Sequence, residues 1–174
     1  TGRYDLYYQA WGEQNQPFWG VIQAVGGYRP LEIPTLQQVK AMSYLGLIHG
    51  AKGLIYYALG ETSMPGWEDN DEFWEEVPLL TCELQKTVPM FLGEIPNIEI
   101  GFDNSAIHFS VRQYETGVYL FAVNSTDRQV KTEFYVQMDK DQVEVLFEDR
   151  LIQGRQGFYC DDFMPYDVHI YKIK

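Results

Sequence analysis

The sequence predicts an α/β fold over its first half and an all-β fold over its second half. Two apolar runs, at 17–25 and 53–60, flank a segment with helical periodicity. From residue 97 onward, apolar and polar residues alternate with the period of two that is typical of strands. Pro96 separates the two patterns, so we expect one domain at 1–96 and a second at 97–174.

The first half contains a strand, a helix and a second strand. The run PFWGVIQAV at 17–25 is rich in β-forming residues and is predicted to be a buried strand. Thr35 and Gln38 form a capping box, in which each side chain satisfies a free backbone N–H at a helix start; Gly50 ends that helix. The run GLIYYALG at 53–60 is the second strand. This order predicts parallel pairing of the two strands.

An acidic segment leads into the next helix. Residues 61–77 are predicted to be a loop followed by an acidic first turn, whose charges complement the helix dipole. Because proline suits a first turn better than a helix interior, we expect a break near Pro78 and a helix over 79–92. Its buried positions would include Leu80, Leu84 and Val88.

The second half reads as short strands separated by turns. Six such runs within this region indicate antiparallel pairing and a small β-sandwich. The predicted strands are 106–113, 117–124, 130–137, 142–148, 156–161 and 166–173.

Composition excludes several function classes. The chain has 174 residues, of which 45% are hydrophobic, so it can bury a core. Its net charge of −12, without a Lys/Arg cluster, excludes nucleic acid as a partner. No apolar run approaches the roughly 20 residues that cross a bilayer, so no membrane insertion is expected. Cys82 and Cys160 are too isolated to form a structural zinc site, and no phosphate loop or dinucleotide fingerprint predicts a cofactor.

Three successive segments of the first half are informative when taken together: PFWGVIQAV at 17–25, YRP at 28–30, and PTLQQVKAMSYLGLIHGAKGLIYYALG at 34–60. Together they resemble the last two strand and helix units of a (β/α)8 barrel of the glycoside hydrolase kind. The end of the chain, FMPYDVHIYKI at 163–173, is similar to the β-sandwich that often follows such barrels. The fold class implied is therefore the end of a TIM-type barrel plus a small antiparallel β-sandwich.

This resemblance implies that the chain is the C-terminal part of a larger protein. A whole barrel needs eight strands and typically about 250 residues, and only two barrel strands fit before residue 97. The expected partners are then the remaining N-terminal part of the same barrel and an oligosaccharide or polysaccharide substrate. The resemblance also suggests an extracellular, cell-surface or periplasmic location. The fragment alone is expected to be inactive.

The candidate site residues follow the two predicted barrel strands, where such enzymes place their working groups. Glu61 is the candidate catalytic carboxyl group, since glycoside hydrolysis usually uses two carboxyl groups across the bond. Many of these enzymes carry a glutamate at the end of the seventh strand, where this chain has Gln23. Either the carboxyl pair comes from the missing strands, or the chemistry differs from that common arrangement. The candidate substrate-binding residues are Gln23, Arg29, Tyr57 and Trp67.

Each candidate also has a structural interpretation. Gln23 could bind a sugar hydroxyl or neighbouring backbone; Arg29 could bind substrate or pair with a nearby glutamate. Glu61 could be a solvated loop carboxylate, and Trp67 could be a lid residue rather than a stacking platform. For the whole chain, the alternatives are a purely structural β-sandwich or a non-catalytic carbohydrate-binding module. Such a module would contact glycan through aromatic residues: Tyr119, Phe121, Tyr135 and Tyr159.

Overall fold

The computed structural model describes residues 17–26, 32–57, 71–138 and 140–173. The chain divides into two units, Thr1–Leu84 and Gln85–Lys174, and the division falls within a helix. The predictions for Arg29, Glu61 and Trp67 lie outside the described residues.

The first unit contains a parallel pair of strands joined through a helix. Strand β1 (Trp19–Gln23) and strand β2 (Gly53–Tyr57) pair in parallel, from Trp19 opposite Gly53 to Gln23 opposite Tyr57. The predicted parallel pairing is therefore confirmed. Helix α1 (Leu36–Ile48) packs on this pair, and the hydroxyl groups of Ser43 and Tyr56 lie 3.1 Å apart. Ile22, which is fully buried, points to the covered face.

Helix α1 begins where its capping residues predict. The Thr35 hydroxyl accepts a hydrogen bond from the Gln38 backbone N–H at 3.3 Å. The Gln38 side-chain carbonyl accepts one from the Thr35 N–H at 2.9 Å. The capping box is thus confirmed, and two backbone donors that a helix start leaves unpaired are satisfied. The chain leaves the helix through Gly50, whose φ of 92° lies in the region that favours glycine.

Helix α2 (Asp71–Phe91) is longer than predicted and continues through Pro78. The predicted break at this residue is wrong. Pro78 is exposed, so the carbonyl group that it leaves without a partner one turn earlier can reach water. Glu83 on this helix accepts hydrogen bonds from Lys40 Nζ at 2.8 Å and Tyr44 Oη at 2.7 Å, which fixes α2 against α1. Leu80 and Leu84 are buried as expected, whereas Val88 is exposed.

The second unit is a single eight-stranded antiparallel sheet. Its order is β3-β6-β9-β8-β7-β10-β5-β4. The strands are β3 (Ile100–Phe102), β4 (Ile107–Tyr114), β5 (Gly117–Asn124), β6 (Val130–Val136), β7 (Gln142–Val145), β8 (Arg150–Arg155), β9 (Phe158–Phe163) and β10 (Val168–Ile173).

The eight-stranded sheet curls so that its two ends approach each other. Phe102 on β3 and Phe109 on β4, the first and last strands of the order, have ring centroids 5.0 Å apart. Phe134 on β6 and Tyr171 on β10 are not on neighbouring strands, yet their rings lie 4.8 Å apart across the interior. The inward-facing side chains therefore form one core, which includes Leu120, Val136, Val143, Val145, Ile152, Tyr159, Phe163 and Ile173.

The predicted fold class, TIM-type barrel units followed by a small β-sandwich, is wrong. The described residues form ten strands and two helices, and one nearly closed antiparallel sheet dominates them. The pair β1 and β2 forms a sheet of two strands, which is not a set of barrel units. The error has a physical reason: alternation with a period of two shows which side chains face inward, but a curled single sheet and two packed sheets share that pattern.

Candidate functional site

The carboxyl end of the parallel pair brings two of the predicted site residues together. Gln23 and Tyr57 are the last residues of β1 and β2, and they are register partners. The next residue of the first strand continues the contact, because the Ala24 N–H donates to the Tyr57 carbonyl oxygen at 2.6 Å. Register partners on parallel strands present their side chains on the same face. The structure thus places both side chains at one edge of the sheet.

Hydrogen bonds to the backbone hold the Gln23 side chain. Its Nε2 donates to the carbonyl oxygens of Val25 and Glu32, each at 2.8 Å. These two bonds connect the end of β1 to the segment that leads into α1. Both amide hydrogens are then used, and the Gln23 Oε1 remains as the acceptor that a ligand hydroxyl could reach.

The face of the parallel sheet that carries Tyr57 is apolar and exposed. Its members are Trp19 (62% exposed), Val21 (60%), Ile55 (45%) and Tyr57 (55%). The opposite face carries Ile22, whose exposure is 0%. Four large side chains on one face of so small a sheet form a contiguous apolar surface, and such surfaces mark interaction sites.

Three of the four aromatic residues proposed for a carbohydrate-binding module are buried. Tyr119, Phe121 and Tyr159 are buried, so they cannot present a ring to a glycan. Tyr135 is half-buried and lies on the outer face of β6. Only this member of the predicted set can contact a ligand.

Sequence reasoning missed a buried polar cluster in the second unit, which we call the Asp161 cluster: Asp161, Arg150, His169 and Tyr171. Arg150 donates to both carboxylate oxygens of Asp161, at 2.9 and 3.0 Å. His169 Nδ1 lies 2.9 Å from Asp161 Oδ2, and the Tyr171 hydroxyl donates to the same oxygen at 2.7 Å. The sequence shows only that His169 and Tyr171, two residues apart on one strand, share a face of the sheet. It does not show that β8 and β9 bring Arg150 and Asp161 to them.

Electrostatics in the Asp161 cluster favour the charged forms of Asp161 and His169 and the neutral form of Tyr171. Burial alone would raise the pKa of Asp161, but hydrogen bonds from His169, Arg150 and Tyr171 outweigh it and hold that pKa far below its usual range. Burial opposes the charge of His169, yet its hydrogen bonds to Asp161 and Asp167 and the charge of Glu148 raise its pKa. Burial and the Asp161 charge raise the pKa of Tyr171 well above its usual value. The carboxylate of Asp161 is therefore balanced by the positive charges of Arg150 and His169.

The described ranges contain neither a metal-binding cluster nor a membrane-spanning helix. There, no group of three or more His, Cys, Asp or Glu side chains is placed to hold a metal ion. Cys82 and Cys160 are free and exposed. No described helix combines the length and apolar character needed to span a membrane.

Comparison with known proteins identifies a likeness of fold. No protein-family profile matches the sequence, and no curated protein matches it either. The chain is similar to the α-amylase of Geobacillus thermoleovorans, solved with acarbose: the TM-score is 0.64 at 12% identity, over 96% of this chain and 42% of that one. An Anoxybacillus α-amylase gives a TM-score of 0.55 at 16% identity, over 80% of this chain and 33% of that one. A putative α-galactosidase from Bacteroides fragilis gives 0.53 at 15% identity, over 82% and 29%.

These structural neighbours are glycoside hydrolases, and the likeness is one of fold. The chain spans about a third to two fifths of their length. Other similar structures were solved with sugars, such as AmyP with maltose at a TM-score of 0.57.

Proposed function

We propose that this chain is the C-terminal part of a longer glycoside hydrolase that cleaves glycosidic bonds by carboxyl acid/base catalysis. One observation carries the proposal: 96% of the chain superposes on an α-amylase, but it covers only 42% of that enzyme. Sequence identity of 12% does not transfer a substrate, so the substrate class stays a neutral oligosaccharide or polysaccharide.

The exposed apolar face of the parallel sheet supports the existence of a missing part. Trp19, Val21 and Ile55 would remain in water if the chain functioned alone, and each of β1 and β2 pairs only with the other among the described strands. Unpaired strand edges invite pairing with further strands. We infer that the N-terminal part of the same protein covers this face.

The roles of the candidate residues follow from their positions at or after the strand ends. Glu61 is proposed as a catalytic carboxyl group, with its partner carboxyl group in the missing part. Gln23 would offer its Oε1 to a sugar hydroxyl, and Tyr57 would offer a ring and a hydroxyl beside it. Arg29 and Trp67 are proposed as further sugar contacts. If the partner carboxyl group lies in the missing part, the chain by itself should be inactive.

We propose that the full-length protein is exported, since a polysaccharide too large to enter the cell must be cleaved outside it. Fractionation of the native organism, with detection of the protein in the medium, periplasm or cell surface, tests this. Recovery from the cytoplasm alone would contradict it.

The experiment that tests the hydrolase proposal uses the full-length protein that carries this sequence. Sugars released from maltotriose and from an α-galactoside are separated by chromatography. Release from either supports the proposal, and release from neither contradicts it. Glu61→Gln should reduce kcat by about 100-fold or more if this carboxyl group transfers a proton. Glu68→Gln, in the same sequence segment, is the matched control; equal activity of both variants would exclude the proposed role of Glu61.

A further inference from the structure

The outer face of the second unit carries a groove that the proposed catalytic function does not use. A row of register partners crosses three strands: Gly101 on β3 lies opposite Tyr135 on β6, which lies opposite Phe158 on β9. The groove over this row has a volume of about 560 Å³, within the range of small-molecule sites. Glu99, Asp103 and Glu133 also line it. We call it the Tyr135 groove.

Two aromatic rings form the floor of the Tyr135 groove. The ring centroids of Tyr135 and Phe158 are 4.9 Å apart, with an angle of 40° between the ring planes. Phe158 is 47% exposed, whereas Phe121, Phe134 and Phe163 of this unit are buried. A Cβ at Gly157 would lie 3.1 Å from the Tyr135 ring, so the hairpin turn of β8 and β9 supports this ring from one side.

Gly101 leaves the groove open beside Tyr135. A Cβ built at Gly101 would have no heavy atom within 4 Å, so the packing of the protein does not require a glycine there. Its neighbours on β3, Ile100 and Phe102, pack against the core, which directs position 101 outward. The missing side chain therefore exposes the ring of Tyr135.

Polar groups on the rim supply hydrogen-bond acceptors and a hydroxyl group. Asp103 Oδ1 already accepts hydrogen bonds from Thr132 and from the Glu133 N–H, the latter at 3.0 Å. Among the described residues, the donor to Glu133 Oε2 is the weak Cys160 thiol, at 3.8 Å. Within the described part of the chain, no side chain pairs with the Glu99 carboxylate or the Tyr135 hydroxyl. These acceptors are available to a ligand.

We propose that the Tyr135 groove is a non-catalytic binding site for a neutral oligosaccharide. A sugar ring has an apolar face of C–H groups, which fits an exposed aromatic ring, and a periphery of hydroxyl groups, which donate to carboxylates. Three carboxylates repel anionic ligands, so nucleotides and acidic glycans are excluded. The proposal shares its ligand class with the proposed hydrolase function but needs no catalytic residue.

The test is a titration of the chain 1–174 with maltotriose and, separately, with the galactose-containing trisaccharide raffinose, followed by NMR. The expected result is saturable shifts of the Gly101, Tyr135 and Phe158 amides with at least one sugar. Phe158→Ala should weaken binding about tenfold, because one stacked ring is lost. Phe147→Ala removes an equally exposed ring elsewhere in this unit and should leave affinity unchanged.

A second variant keeps the test independent of folding. Gly101→Leu retains both rings, and its Cβ enters open space. We expect the longer side chain to occupy the groove and abolish binding while the amide spectrum elsewhere stays unchanged. Undiminished binding by Gly101→Leu would overturn the proposal. So would the absence of any shift with either sugar at 50 times the sugar concentration that saturates a control lectin. So would saturable binding of hexalysine at these amides without sugar binding. Loss of hydrolysis in the full-length protein would leave these shifts unaffected, so the two proposals fail separately.

Discussion

Val21 and Ile22 are adjacent residues on opposite faces of β1, and their truncation distinguishes a complete sheet from an incomplete one. Ile22 is fully buried, so Ile22→Ala should destabilise any form of the protein by about 3 kcal/mol. Val21 is 60% exposed in this chain. At about 0.8 kcal/mol for each fully buried carbon, the loss of two carbons that are two fifths buried amounts to roughly 0.6 kcal/mol.

The same Val21→Ala change should be larger in the full-length protein, where we propose that this face is covered. Full burial of both carbons gives about 1.6 kcal/mol, and the cavity adds to it, so a value of about 2 kcal/mol is expected. Urea unfolding of both forms, with each variant, measures the difference. Ile22→Ala is the internal control because its effect should be the same in both forms. An equally small effect of Val21→Ala in the two forms would show that nothing covers the exposed face.

Three further predictions concern single groups. Asp161→Ala should lower the free energy of unfolding by about 3 kcal/mol, because it leaves Arg150, His169 and Tyr171 without their shared hydrogen-bond partner. Asp162→Ala, at the exposed neighbour, should change it by less than about 0.5 kcal/mol, and similar urea midpoints for both variants would contradict the prediction. The pKa of His169, followed by NMR, should lie above its ordinary value of about 6.5. Its contribution to stability is then complete below about pH 6.5 and is lost as the pH rises through the folded-state pKa. Stability that does not fall in that range, or a fall that persists in His169→Gln, would contradict this role of His169. Thr35→Ala should lower the free energy of unfolding by about 1 kcal/mol, whereas Thr35→Ser should retain it. Equal melting temperatures of Thr35→Ala and the unchanged protein would show that the cap is dispensable.

Local signals in the sequence predicted the local structure well. The capping box of Thr35 and Gln38 depends on residues three apart, so the helix start could be found from the sequence alone. The placement of Gln23 beside Tyr57 followed from two apolar runs joined through a helix, because such a connection makes the strands parallel.

The sheet of the second unit could not be predicted from the same signals. Strand β3 has three residues, too few to show alternation. In β8 the exposed Leu151 precedes the buried Ile152, and Gly154 interrupts the pattern. Without these two strands, the continuous order of eight strands could not be recognised, and the region was predicted to be a sandwich.

The Asp161 cluster depends on pairing between distant strands. Asp161 lies on β9, Arg150 on β8 and His169 on β10, so only the curled sheet brings them together. Their alternation marked them as polar residues in strands and gave no information about partners. The Tyr135 groove was missed for a related reason, since Gly101, Tyr135 and Phe158 are neighbours only through the register of three strands.

Whether this sequence belongs to an enzyme that cleaves glycosidic bonds can be decided by one assay. The full-length protein is incubated with maltotriose and with an α-galactoside, and the released sugars are quantified beside those from the chain 1–174. We expect release by the full-length protein and none by the chain alone. A native protein of only 20.3 kDa that releases sugar by itself, or a full-length protein that releases none, would contradict the proposal that this chain is the C-terminal part of a glycoside hydrolase.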